Sequence, residues 1–110
     1  NNLIELVDNV LDPLREMYGG PIRVNSGYRS PIVNRRVGGA ATSHHVMGTC
    51  ADITAGSSKE NEILFNLIKN NFKFRQLIDE LNYKWIHVEY LDGDNKNEIL
   101  KFNGKKYTAI

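Results

Sequence analysis

Three side chains of this sequence have the chemistry to hold a metal ion together. They are His45, Asp52 seven residues later, and His87 much further along the chain. Two imidazoles and one carboxylate with no fourth protein ligand are typical of a catalytic zinc site, because a structural site usually closes the fourth position with Cys. The open position would admit a water molecule, which bound Zn²⁺ activates as a nucleophile. The set therefore predicts hydrolysis at a zinc centre.

The assignment of His87 and the open fourth position each have an alternative interpretation. His87 lies in the apolar segment Trp85-Ile86-His87-Val88, and a lone histidine in such a strand is more often a hydrogen-bonded core residue. Strand alternation places Trp85, His87 and Glu89 on one face and the two aliphatic residues on the other. A thiolate from Cys50 beside Asp52 would close the metal site, although a free cysteine more often behaves as a small buried apolar group.

Composition limits the classes of protein that are compatible with the chain. Its 110 residues fit one compact domain, residues 1–110, with 41% hydrophobic and 25% charged residues. The formal net charge of +1 gives no basic field that would indicate nucleic-acid binding. No apolar run is long enough for a membrane span, and the single Cys50 excludes an internal disulfide. Nothing in the sequence indicates the oligomeric state.

Helical patterns come early in the chain and strand patterns gather late. The predicted elements are an apolar helical stripe from Leu3 to Met17 interrupted at Pro13 and ended by Gly19, a strand at 22–26, a short helix starting at Ser30-Pro31, a loop at 40–48, a strand at 51–53, a helix capped by Ser57 or Ser58, strands at 76–78 and 85–89, and a hairpin of 98–102 with 106–108 across Asn103-Gly104. The predicted buried stripe of the later helix consists of Ile63, Leu64, Leu67 and Ile68. This order predicts an α+β fold, a small single domain with a mainly antiparallel sheet packed against helices.

Four segments in this order resemble one enzyme family. They are Ser26-Gly27-Tyr28-Arg29-Ser30, Asn34 with Val37-Gly38-Gly39, Ser43-x-His45-x-x-Gly48-x-x-Ala51-Asp52, and Trp85-Ile86-His87-Val88. Together they resemble the M15 family of zinc peptidases, which includes D-alanyl-D-alanine carboxypeptidases, dipeptidases and phage endolysins that act on bacterial cell-wall peptides. The resemblance implies the fold shared by D-Ala-D-Ala peptidases and the hedgehog signalling domain.

The resemblance also implies roles for individual residues. His45, Asp52 and His87 take the three zinc-ligand positions, in agreement with the chemistry of the donor set. Arg29 matches the position that binds substrate and stabilises the oxyanion, and its alternative is an ordinary surface arginine. Ser43 matches a position near the substrate, and its alternative is a turn hydroxyl bonded to nearby backbone. His44, next to the first ligand, falls on a variable position of the family.

The general base is the point at which the sequence departs from the family pattern. Several members place a carboxylate three residues before the last histidine, where this chain has Lys84, which is no base while it is charged. Glu80 is the first choice, because a strand at 76–80 antiparallel to 85–89 would bring it toward the metal. Asp79 is the competitor, since a shift of one residue exchanges the faces. Glu89 could instead hold an imidazole.

The resulting prediction is a zinc-dependent hydrolase of peptidoglycan stem peptides, most simply a D-alanyl-D-alanine carboxypeptidase. One alternative is an endolysin-type L-alanyl-D-glutamate endopeptidase. The other is a zinc-containing binding module without catalysis, which the departure at Lys84 keeps open. Such an enzyme would act on the bacterial cell wall, from the periplasm or outside of the cell or as a phage product.

Overall fold

The computed structural model describes residues 2–26 and 49–110. The predicted helix start at Ser30-Pro31 and the loop at 40–48 lie outside these residues. The described part contains helices α1 (Asn2–Leu6), α2 (Asp12–Tyr18) and α3 (Ser58–Asn71), and strands β1 (Arg23–Ser26), β2 (Cys50–Thr54), β3 (Gln76–Glu80), β4 (Trp85–Glu89), β5 (Glu98–Phe102) and β6 (Tyr107–Ala109). None of these helices has the length and apolar character that a membrane crossing requires.

The N-terminal helical stripe is interrupted as the sequence predicts. A π-helical segment, Val7–Leu11, joins α1 to α2, and the backbone N–H of Asp12 bonds the carbonyl of Val7. Pro13 follows directly and has no N–H with which to continue the α-helical bonds, which accounts for a local change of helix type at this point. Gly19 ends α2 with φ 76°, a left-handed conformation that glycine adopts without steric cost.

The sheet has six strands in the order β1-β2-β4-β3-β5-β6. Four of the neighbouring pairs are antiparallel, and β3 with β5 is parallel. The predicted α+β class with a mainly antiparallel sheet is therefore confirmed. Strand β3 continues to Glu80 and runs antiparallel to β4, which is the arrangement on which the assignment of Glu80 depends.

The hydrophobic core lies between the helices and one face of the sheet, which we call the core face. The strands contribute alternate residues to it, and the fully buried members include Ile53, Leu77, Ile86 and Val88. The helices contribute a second set, namely Leu6, Val10, Leu14, Leu64, Phe65 and Ile68. Burying one such side chain contributes about 1.5–3 kcal/mol. We call the opposite side of the sheet the site face, because Asp52, Glu80 and His87 lie on it.

Helix α3 begins as predicted but buries a different set of residues. Ser57 is the N-cap, and its hydroxyl accepts a hydrogen bond from the backbone N–H of Glu60 at 3.2 Å. The prediction that Ile63 belongs to the buried stripe is wrong, since its side chain is 43% exposed. Asn61 and Phe65 take its place, because they share a helix face with Leu64 and Ile68 at steps of three and four residues.

The C-terminal hairpin forms as predicted, with a longer connection. Strand β6 begins at Tyr107, so that four residues rather than two or three join the strands. The Asn103 side chain explains the length, since its Oδ1 accepts hydrogen bonds from the backbone N–H groups of Lys105 at 2.9 Å and Lys106 at 3.0 Å. Gly104 takes a positive φ of 96° within this turn.

Candidate active site

Asp52 and His87 form the centre of the site face. They lie directly opposite each other on the antiparallel neighbours β2 and β4. Residues that face each other across a ladder point to the same side of the sheet, and here Asp52 Oδ1 lies 2.9 Å from His87 Nδ1. Both side chains are largely buried, with 22% and 14% exposed. His87 therefore lies on the opposite side of the sheet from the helix-packed core, with a carboxylate as its partner.

The donor chemistry and spacing of this pair fit a zinc ion. Tetrahedral zinc bonds of about 2.0–2.2 Å place neighbouring ligand atoms about 3.3 Å apart, so the pair would need to separate by only a few tenths of an ångström. Residues 2–26 and 49–110 contain no cluster of three or more His, Cys, Asp or Glu suited to a metal. The third predicted ligand, His45, lies outside these residues, as do Arg29, Ser43 and His44.

Glu80 shares the site face with the Asp52–His87 pair. It faces Trp85 across the β3–β4 ladder, while Ile78 faces His87, so Glu80 is the diagonal neighbour of His87. The pKa of Glu80 is raised, and burial of its carboxyl group is the largest cause. The positive charge of protonated His87 opposes that rise in pKa, and the carboxylates of Asp52 and Asp79 add to it. The site thus contains a buried carboxylate whose proton affinity is higher than usual and which interacts electrostatically with both central residues.

Asp79, the competitor for the general base, lies on the core face. It pairs with Ile86 across the ladder and is 2% exposed. Its Oδ1 accepts a hydrogen bond from the backbone N–H of Tyr83 in the turn that follows. This position directs the carboxylate away from the Asp52–His87 pair and gives it a structural partner.

Glu89 shares the face of His87 and is contacted by Thr49 and Arg75. It is 1% exposed, and Thr49 Oγ1 donates a hydrogen bond to its Oε2 at 2.9 Å. Arg75 Nε lies 3.8 Å from its Oε1. Opposite Glu89 lies Cys50, which is fully buried and lies on the same face as Asp52. The contacts with Thr49 and Arg75 give Glu89 a role in holding β4 at the end remote from Glu80.

The turn between β3 and β4 sets the position of Glu80 and has an unusual backbone. Leu81, Asn82 and Tyr83 have φ values of 55°, 57° and 62°, three successive left-handed residues without a glycine. Left-handed backbone costs a non-glycine residue about 1–2 kcal/mol. Such strain persists only where the surroundings hold it, and it is enriched at functional sites.

Asn61 of α3 holds this turn and was missed by the sequence analysis. Its Nδ2 donates to the carbonyl oxygens of Tyr83 at 2.9 Å and Lys84 at 3.2 Å. Its Oδ1 accepts from the backbone N–H of Ala55 at 2.7 Å, just after β2. The fully buried amide thus fastens the strand of Asp52 to the turn after Glu80. The only sequence signal was its spacing to Leu64 and Phe65, which put a polar residue on the buried helix face.

Comparison with known proteins identifies the class. The Peptidase M15 family profile matches residues 2–89, which include Asp52, Glu80 and His87. The chain therefore belongs to peptidase family M15. It is also similar to the zinc D-Ala-D-Ala carboxypeptidase of Streptomyces albus G, with 48% identity over 48 residues. That match covers 43% of this chain and 19% of the Streptomyces protein.

Proposed function

We propose that this chain is a zinc-dependent peptidase of bacterial cell-wall peptides, in its simplest form a D-alanyl-D-alanine carboxypeptidase. The observation that supports this most directly is the close Asp52–His87 pair, 2.9 Å apart, with buried Glu80 on the same face. Membership of peptidase family M15 and the similarity to a zinc D-Ala-D-Ala carboxypeptidase favour the same activity. The ligand set of the proposal is His45, Asp52 and His87.

Zinc bound by these residues would act as a Lewis acid on the scissile carbonyl and on the attacking water. Glu80 is the proposed general base, which accepts the proton of that water and passes it to the leaving amine. In the metal-free protein, burial raises the pKa of Glu80 above its ordinary value, and a raised pKa suits a group that must both take and return a proton. Arg29 would stabilise the developing oxyanion with its fixed fork of N–H donors, and Ser43 would contact the peptide nearby.

The proposed substrates are peptidoglycan stem peptides, so the proposed place of action is the bacterial cell wall. The protein would reach it in the periplasm, outside the cell, or as a phage product. The simplest reaction cleaves the terminal D-alanyl-D-alanine bond of the stem peptide and releases free D-alanine and the shortened peptide.

The test is product analysis with a defined stem pentapeptide and with purified peptidoglycan. Zinc-loaded protein is expected to release D-alanine, and chelation should abolish the release. New amino groups on D-glutamate without free D-alanine would identify an L-alanyl-D-glutamate endopeptidase instead. Absence of any hydrolysis by zinc-loaded protein would contradict the enzyme proposal and favour a zinc-containing binding module.

A further inference from the structure

A row of aromatic side chains crosses the site face beside Glu80. Trp85 faces Glu80 across the antiparallel β3–β4 ladder. Glu80 in turn pairs with Phe102 on the parallel strand β5, and Phe102 pairs with Tyr107 on β6. Because paired residues share a face of the sheet, aromatic rings flank the carboxylate on both sides.

Phe102 and Tyr107 form an ordered pair at the edge of this row. Their rings are stacked with centroids 4.5 Å apart and an interplanar angle of 29°. Tyr107 is nevertheless 56% exposed, so much of its ring remains accessible to a ligand. A rigid, half-exposed aromatic side chain offers a large contact area at low conformational cost, and its hydroxyl supplies one polar contact.

The electrostatics of Tyr107 connect it with the centre of the site. Burial raises the pKa of its phenol, and the negative charges of Glu80 and Asp52 raise that pKa further. The hydroxyl therefore keeps its proton at neutral pH and remains a hydrogen-bond donor. A donor is suited to this place, because the carboxylates of Glu80 and Asp52 can only accept hydrogen bonds when ionised.

We propose that Phe102 and Tyr107 form one wall of the substrate groove, and that the Tyr107 hydroxyl donates a hydrogen bond to a main-chain carbonyl oxygen of the bound peptide. The rings would pack against the methyl groups of the substrate's alanine residues. This inference rests on the proposed function, and it extends the site to the β5–β6 hairpin, which lies beyond the residues 2–89 matched by the family.

The sheet is continuous from the Asp52–His87 pair to the β5–β6 hairpin, which favours an extended peptide as the ligand of the groove. The hairpin is hydrogen-bonded to β3, the strand of Glu80, so its aromatic residues keep a fixed register with the proposed base. A substrate held at Asp52 and His87 and extended past Glu80 would meet Phe102 and Tyr107 next. Two rings and one hydroxyl match the alternating methyl groups and carbonyl oxygens of a short alanine-containing peptide.

The test compares Tyr107→Phe, Tyr107→Ala and the matched control Thr108→Ala in zinc-loaded protein with the stem pentapeptide. Thr108 is the next residue of β6 and pairs with Lys101, so its side chain lies on the opposite face. Loss of one neutral hydrogen bond in Tyr107→Phe should raise KM about 5-fold and leave kcat within about 2-fold. Loss of the ring in Tyr107→Ala should raise KM about 20-fold or more. The control should match the parent in both constants.

The outcomes separate this inference from the proposed function. If the parent hydrolyses the peptide and both Tyr107 variants keep its KM, the wall is refuted and the peptidase proposal stands. If the parent is inactive, binding of the same peptide is measured by NMR titration. Weaker binding by Tyr107→Ala than by Thr108→Ala would then support the wall without catalysis. Equal binding, or no binding by the parent, would overturn it.

Discussion

Replacing Asn61 with alanine should destabilise the protein, because its amide connects three parts of the chain. The change removes the acceptor of the Ala55 N–H and the donor to the carbonyl oxygens of Tyr83 and Lys84. Asn61 is fully buried, so water has poor access to the groups that are left. A buried polar group without a partner costs about 1–3 kcal/mol, and the strained turn after Glu80 loses its support.

We therefore expect Asn61→Ala to lower the free energy of unfolding by about 2–4 kcal/mol. Urea unfolding followed by circular dichroism measures this directly. With an m value of about 1.5 kcal/mol/M, the midpoint should fall by about 1.3–2.7 M while m stays unchanged. Activity should fall as well in conditions where the variant is folded, since the turn fixes Glu80 relative to His87.

Asn71→Ala is the matched control for this prediction. Asn71 lies at the end of the same helix and is exposed, and its Nδ2 donates to the carbonyl of Leu67 at 2.9 Å. This control should stay within about 0.5 kcal/mol of the parent. An Asn61→Ala variant as stable as the control would refute the reasoning that the buried amide holds the turn.

Three further outcomes follow from the site. Glu80→Gln should lower kcat at least about 100-fold without releasing zinc. The control Glu98→Gln changes an exposed residue of β5 and should leave kcat unchanged. If zinc-loaded Glu80→Gln has the same kcat as the zinc-loaded parent, Glu80 is excluded as the base. In metal-free protein, the raised pKa means that the folded state holds the proton of Glu80 more tightly than the unfolded state does. The resulting stabilisation is fully present below the ordinary pKa of 4.5 and is lost as pH rises through the raised pKa. The difference in unfolding free energy between the parent and Glu80→Gln should therefore decrease with pH in urea titrations, and a difference independent of pH would contradict the shift. Tyr107→Phe should raise KM with little change in kcat, because only a substrate hydrogen bond is lost.

The sequence predicted the parts of the fold that depend on local pattern. Alternation in Trp85-Ile86-His87-Val88 gave the correct faces of β4, and Ser57 and Gly19 marked helix ends correctly. Strand β3 pairs antiparallel with β4 through Glu80, which is the pairing that the assignment of Glu80 required. Whether Glu80 is the base stays a prediction.

Features that depend on distant contacts were not predictable in this way. Asn61 has a polar side chain of a kind that usually lies at the surface, and its hydrogen bonds to Thr54, Ala55 and the β3–β4 turn explain its burial. The parallel insertion of β5 next to β3 has no local signal either, since register between distant strands is set by packing. The position of Phe102 beside Glu80, with Tyr107 on the next strand, follows from that insertion.

The central claim is that His45, Asp52 and His87 bind one zinc ion. It is tested most directly by zinc content and affinity of the parent, of the alanine variants of these three residues, and of His44→Ala as the neighbouring control. We expect about one zinc per chain in the parent and in the control, and at least about 100-fold weaker binding in each ligand variant. A parent that binds no stoichiometric zinc, or a His87→Ala variant that keeps the parent's affinity, would contradict the account.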